Sequence, residues 1–139
     1  MNADCVFCKI VAGELPCARV YEDDDTLAFM DIGPVVKGHT LVIPKAHHDP
    51  ITQTPGPVLH KLILVVQQIA RAQLNQLGAD GVNVSQANGR IAGQIVPHIH
   101  FHVIPRFAKD GHSWNWKAGK YADAAEMQSF ADRIRSGLT

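Results

Sequence analysis

The sequence predicts an α+β fold: a five-stranded antiparallel sheet carrying one long helix, with a short helix near each end. Three observations carry that expectation. Short apolar runs of strand length recur between turn residues. One stretch, residues 57–76, repeats Leu59, Leu62, Ile63, Val66, Ile69 and Ala70 at helical spacing. Residues 97–106 alternate His98, His100 and His102 with Ile99, Phe101 and Val103, which is the period of a strand. Successive antiparallel strands with a helix on one face belong to the α+β class.

The elements follow in order. Residues 4–12 read as a short helix, because Phe7, Ile10 and Val11 share a face, and Gly13 ends it. Residues 19–21 form the first strand, the acidic run 22–25 a solvated hairpin tip, and residues 26–30 the returning strand. Lys37-Gly38-His39 turns the chain into a third strand over residues 40–44. A loop rich in Pro, Gly and Thr covers 49–57, and the long helix follows to Gly78. His60 falls off its apolar stripe and is expected at the surface. Residues 81–86 make the fourth strand and 97–106 the fifth. Pro97 lacks an N–H, so the strand there is unpaired or at an edge. A last helix spans 122–135, with Ala125, Phe130 and Ile134 as its apolar positions. The linking segment, 108–120, holds His112, Trp114 and Trp116, which either anchor the tail or line a pocket mouth.

Composition sets outer limits. The chain has 139 residues, enough for one domain with a sizeable core. Acidic and basic residues balance at 13 each, so neither nucleic acid nor an anionic membrane is an expected partner. No apolar run approaches the ~20 residues of a membrane span, and the first residues lack the pattern of a signal peptide. A cytoplasmic protein is expected. Three cysteines do not make a disulfide framework.

The chemistry is concentrated in the fifth strand. Its three imidazoles share one face at roughly 7 Å spacing, and the opposite face is apolar. Such a row suits either zinc coordination or phosphate chemistry, where a neutral imidazole is a nucleophile near pH 7 and a charged one stabilises oxygens. Asn88-Gly89 and Gly93-Gln94 precede the row. Glycines let backbone N–H groups approach an anion, and the two amides add neutral donors, which favours phosphate. Cys5 and Cys8 stand at metal-ligand spacing. His47 or His48, together with His98, would complete a closed Cys2His2 site; two buried reduced thiols are the alternative. Cys17 fits neither scheme and reads as a small packed residue.

The run Ala92-Gly93-Gln94-Ile95-Val96-Pro97-His98-Ile99-His100-Phe101-His102-Val103-Ile104-Pro105-Arg106 resembles the histidine-triad (HIT) family of nucleotide hydrolases and transferases. Phe29-Met30-Asp31-Ile32 and Gly38-His39-Thr40-Leu41-Val42-Ile43-Pro44-Lys45 add to the likeness. It covers about residues 4–107 of a single domain, 1–139, leaving 108–139 as a C-terminal extension. The resemblance implies a HIT-like fold and two-step nucleotidyl transfer with His100 as nucleophile. It also implies that His39 orients the nucleophile's ring and that His102 and Gln94 hold phosphate oxygens, His102 becoming cationic as charge develops. Asp31 is implied at the ribose, Phe7, Ile10, Phe29 and Ile32 around the base, and Asn88 beside the nucleotide. Cys5, Cys8, His47 and His98 match the subset of relatives with a structural zinc; no catalytic metal is required. The implied substrate is a purine nucleotide, a nucleoside 5′-phosphoramidate or related conjugate, and the implied assembly a homodimer. A dinucleoside polyphosphate hydrolase and a nucleotide sensor with little turnover are the alternatives. Ile95 and Ala87 depart from the family pattern, which commonly has polar residues at both positions.

Overall fold

A computed structural model describes residues 2–113 and 116–138, so Trp114 lies outside the described residues. Helix α1 is Val6–Val11. Cys5 is its N-cap, and the Cys8 amide donates to Cys5 Sγ at 3.4 Å. Caps at Cys5 and Ala12 make it shorter than the 4–12 helix expected from the apolar pattern.

Strands β1 (Arg19–Glu22), β2 (Thr26–Met30) and β3 (Thr40–Pro44) precede the long helix α2 (Gly56–Gln76). Strands β4 (Gly81–Ser85) and β5 (Phe101–Arg106) follow, then helix α3 (Ala124–Arg135). The strands form one antiparallel sheet in the order β1-β2-β3-β5-β4. The turn between β1 and β2 is held by Asp23, whose Oδ1 accepts from the amides of Asp25 and Thr26 at 2.8 and 2.7 Å. The acidic run is exposed, as expected of a hairpin tip.

The sheet is covered on both sides near β2 and β3. Leu27, Phe29, Leu41 and Ile43 pack with Cys5, Phe7, Cys8 and Ile10 of the α1 region. Ala28 and Val42 point the other way and pack with Leu62, Val65, Val66 and Ile69 of α2. Two buried faces explain why β2 and β3 are continuous apolar runs. Burying one such Leu or Ile side chain contributes about 1.5–3 kcal/mol, and Leu27, Ile43, Leu62 and Ile99 are wholly buried.

The core contact of α2 is rotated from the expected stripe. Val65 is buried, whereas Ile63 is 47% exposed. The helix is apolar around much of its girth there, so periodicity alone selects no single face. Gln73 is also buried, donating from Nε2 to the carbonyls of Gly38 and Val103 at 3.0 and 2.9 Å. His60 is exposed as expected.

Two further corrections bear on the site. The regular ladder of β5 starts at Phe101, not Pro97. Pro97 has no N–H to donate, and the His98 amide turns to Val96 O at 2.9 Å instead of a neighbouring strand. Helix α3 forms as expected, but none of its residues is buried; Phe130 and Ile134 are 45% and 66% exposed. No helix among the described residues is long and apolar enough to cross a membrane.

Candidate active site and metal centre

The side of the sheet met by the imidazoles of residues 98–102 follows from the pairing at the start of β5. His102 lies opposite Leu41 in the β3–β5 ladder, and Leu41 belongs to the α1 side of the sheet. Ile99 and Val103 pack on the α2 side, both wholly buried. The expected division of this segment into an imidazole face and a core face therefore holds. Helix α1 then meets the row: the Phe7 ring sits edge-on to His98 and His100, with centroids 5.7 and 5.1 Å away.

His98 leaves the row to join the cysteines. Its Nδ1 lies 3.4 Å from Cys5 Sγ, 3.7 Å from Cys8 Sγ and 3.2 Å from His47 Nδ1. Cys8 Sγ is 3.4 Å from His47 Nδ1. A tetrahedral zinc with Zn–N and Zn–S bonds of about 2.0 and 2.3 Å implies N···N and N···S edges of roughly 3.3 and 3.5 Å. The four residues fit that ion. His98 Nε2 donates to Pro44 O at 2.8 Å, which leaves Nδ1 with its lone pair toward the cluster. His47, not His48, supplies the fourth ligand atom; His48 instead gives its carbonyl to the Ile99 amide at 2.7 Å. Burial holds the His98 imidazole down at about 4, partly opposed by the bond to Pro44. Burial pushes the Cys5 thiol up, partly opposed by the Cys8 amide.

His100 is buried, and its Nδ1 donates to the His98 carbonyl at 2.7 Å. The proton is thereby fixed on Nδ1, and Nε2 keeps a lone pair. Burial also lowers its basicity, opposed by that same bond. The ring of His102 lies 4.9 Å away. Burial, then the neighbouring His100 and His39 rings, hold His102 at about 4.

His39 corrects the expectation that it orients the nucleophile. Its Nε2 is 2.9 Å from His102 Nδ1, so it serves the third imidazole of the row, while the His98 carbonyl serves the second. The Asp31–Gly38 loop explains the placement. The Asp31 amide donates to His39 O at 3.0 Å and the His39 amide to Val36 O at 2.9 Å, closing the loop tightly. Gly38 makes that possible: its φ is +104°, and a Cβ there would come within 2.9 Å of Leu77 and Pro105 side-chain atoms.

Gln94 departs from its expected part as well. Its Nε2 donates to Asp49 Oδ1 at 2.7 Å and to Val96 O at 3.0 Å, while its Oε1 accepts from the Gly89 amide at 2.7 Å. Both amide hydrogens are spent inside the protein, so the side chain staples the 88–96 loop to the segment bearing His47 instead of reaching for phosphate. Asn88 adds a second staple: its Oδ1 accepts from the Ile51 amide at 2.8 Å, and it pairs with Gln86. Asp49 and Gln86 escaped sequence reasoning, because neither stands at a spacing that signals a role.

Phe7 and Ile10 of α1 and Phe29 of β2, expected around a base, are buried in the core between that helix and the sheet. Ile32 is fully exposed next to Asp31, whose Oδ1 accepts from the Gly33 amide at 2.8 Å. Trp116 is 78% exposed, in the segment after β5. Two concavities elsewhere in the chain, of about 180 and 440 Å³, touch no histidine of the row.

Fold and site together define a class: an antiparallel α+β domain with backbone-fixed imidazoles beside a Cys2His2 cluster. The chain belongs to the HIT domain family, whose description matches residues 12–109. It is similar to a HIT family protein of Bacillus subtilis of known structure, with a TM-score of 0.91, 41% identity and 98% of each chain covered. A Zn-bound histidine triad family protein from Mycobacterium smegmatis aligns with a TM-score of 0.76 at 39% identity, over 97% of this chain and 98% of that one. An adenosine 5′-monophosphoramidase of Schizosaccharomyces pombe is 43% identical over 73% of this chain and 74% of its own length. An adenylylsulfatase of Arabidopsis thaliana is 43% identical over 79% of this chain and 56% of its own length. The family thus includes named nucleotide hydrolases.

Proposed function

We propose that this chain hydrolyses nucleoside 5′-phosphoramidates or related nucleotide conjugates and releases the nucleoside monophosphate. The observation that carries the reading is the 2.7 Å bond from His100 Nδ1 to the His98 carbonyl, which leaves Nε2 as an unprotonated nucleophile at neutral pH. In the first step Nε2 attacks the α-phosphorus. A P–Nε2 bond forms, the bond to the leaving atom breaks, and that atom departs with the electron pair. In the second step water attacks phosphorus and a P–O bond forms, the P–Nε2 bond breaks with its electron pair returning to Nε2, the second water proton passes to solvent, and the monophosphate leaves with His100 restored. His102 donates a hydrogen bond to the phosphate, Asp31 accepts from the ribose and Ile32 meets the base.

Bound to Cys5, Cys8, His47 and His98, zinc would supply a structural cross-link with no open position for substrate. Those ligands hold His98, and through its carbonyl His100, in register. The Zn-bound protein among the relatives supports this zinc assignment, and the phosphoramidase supports the hydrolase reading. The open apolar face of α3 and the exposed Val84 on edge strand β4 support a homodimer.

A second reading, nucleotide binding with little turnover, is favoured by Ile95. It is 85% exposed and apolar, and its side chain offers a leaving group no hydrogen bond. The two are separated by incubating the protein with an adenosine phosphoramidate and measuring AMP release. Turnover in the wild type that vanishes in His100→Ala, with AMP binding retained by calorimetry, supports hydrolysis. Equal AMP release by both proteins contradicts it, and binding without release supports the second reading.

A further inference from the structure

The protons of the site can be placed one by one. The Val35 amide points at His39 Nδ1 with an N···N distance of 3.1 Å. A backbone N–H can only donate, so His39 Nδ1 carries no proton. His39 is 3% exposed, and burial lowers its basicity against the opposing pull of Asp31. A neutral His39 therefore holds its proton on Nε2. That nitrogen is 2.9 Å from His102 Nδ1. Only one hydrogen fits in the gap, and His39 supplies it. His102 Nδ1 accepts, and its own proton lies on Nε2.

A second proton on His102 is opposed at both ends of this chain. It would place N–H groups on both sides of the 2.9 Å gap. Moving the His39 proton to Nδ1 would relieve that clash, only to set it against the Val35 N–H. Asp31 Oδ2, 3.6 Å from His39 Nε2, favours charge on the pair but lies outside hydrogen-bond range. Among the described residues, His100 is a further titratable neighbour, its ring 4.9 Å from that of His102, whereas the ladder partners Leu41 and Ser85 do not titrate.

We propose that Val35 and His39 are a positioning pair that locks His102 as a neutral Nε2–H donor, in the free protein and with nucleotide bound. The proposal rests on the hydrolase reading only for what this donor meets. It replaces the expectation that His102 turns cationic. It also narrows the substrate class: the leaving atom either arrives protonated, as a phosphoramidate nitrogen can, or departs as a stable anion. In the first case the P–N bond breaks to give an amine that already holds its proton, and His102 gives none up.

Long-range proton–nitrogen NMR correlation on the full-length, nitrogen-15-labelled protein at neutral pH reads the tautomer directly, with AMP as the probe ligand. The expected spectrum has His102 Nδ1 unprotonated and Nε2 protonated, with and without AMP. In His39→Ala the single tautomer gives way to a mixture. His39→Gln, whose amide can still donate to His102 Nδ1, restores it. A His102 protonated on Nδ1, doubly protonated with AMP bound, or sharing a cation with a proton-free His39 Nε2 would overturn the proposal. So would an unchanged tautomer in folded His39→Ala. The expected tautomer in a protein that turns over no nucleotide would sink the hydrolase reading while upholding this one.

Discussion

The carbonyl oxygen of His98 accepts from Nδ1 of His100 at 2.7 Å, while the His98 ring faces away into the cysteine cluster. Two residues of one motif thus divide the labour. The His98 side chain lies with the cysteines while its backbone orients the His100 ring, which in the proposed reaction is the nucleophile.

The cluster should be a resident zinc site. Protein purified without added metal is expected to contain about one zinc per chain, and Cys8→Ser to contain none. Losing the cross-link should cost about 2–3 kcal/mol, or roughly 5–10 °C in Tm for a domain of this size. Metal analysis and calorimetric melting check this. A metal-free wild type, or a Cys8→Ser variant melting at the wild-type temperature, counts against it.

The apolar side of the imidazole segment should dominate its stability. Ile99 is wholly buried against α2 residues. Ile99→Ala should destabilise the fold by about 2–5 kcal/mol, and Ile99→Val by about 0.5–1.5. Urea unfolding measures both; a cost under 1 kcal/mol for the alanine variant would place the residue outside the core.

Gly38 should be intolerant of a methyl group. A positive φ costs an alanine about 1–2 kcal/mol, and overpacking against Leu77 and Pro105 adds about 1–3 kcal/mol. Gly38→Ala should therefore unfold at clearly lower urea and, because it shifts His39, lose turnover as well. Full activity with wild-type stability would mean that the loop relaxes freely.

Stability should fall on mild acidification. The folded protein holds His102 at about 4 and His39 below its ordinary value, against about 6.5 when unfolded. As pH falls below about 6.5 the unfolded chain takes up these protons first, so stability is full above that pH and declines toward 4. The urea midpoint should drop between pH 6.5 and 4.5, before most carboxylates titrate, and drop less in His102→Gln. A midpoint that rises over this range, or identical slopes in the two proteins, would contradict the assignment.

Some elements were legible to the residue. Strands β2 and β3 match their expected bounds because each is a threonine followed by an unbroken apolar run, with an aspartate or a Gly-His turn before it and a charged residue after. The division of residues 98–103 into two faces was equally plain, since alternation is a local property. Tertiary facts were less so. The choice of Val65 over Ile63 depends on where the sheet lies. The partner of His39 depends on how an eight-residue loop closes over it, through hydrogen bonds such as Val35 to His39 that leave no mark on composition. Gln94 looked like a phosphate donor because its type and place were right, and only the nearness of Asp49 shows its hydrogens already taken. The choice between His47 and His48 turned on which ring reaches the cysteines.

The central claim is that His100 Nε2 becomes bonded to phosphorus. Rapid mixing with an adenosine phosphoramidate, quenching within milliseconds and intact-mass analysis tests it most directly. The account predicts a transient species heavier by one adenylyl group, with the modification on His100 in the peptide map and no such species in His100→Ala. Turnover without any adenylylated protein, or the label on another residue, would contradict it.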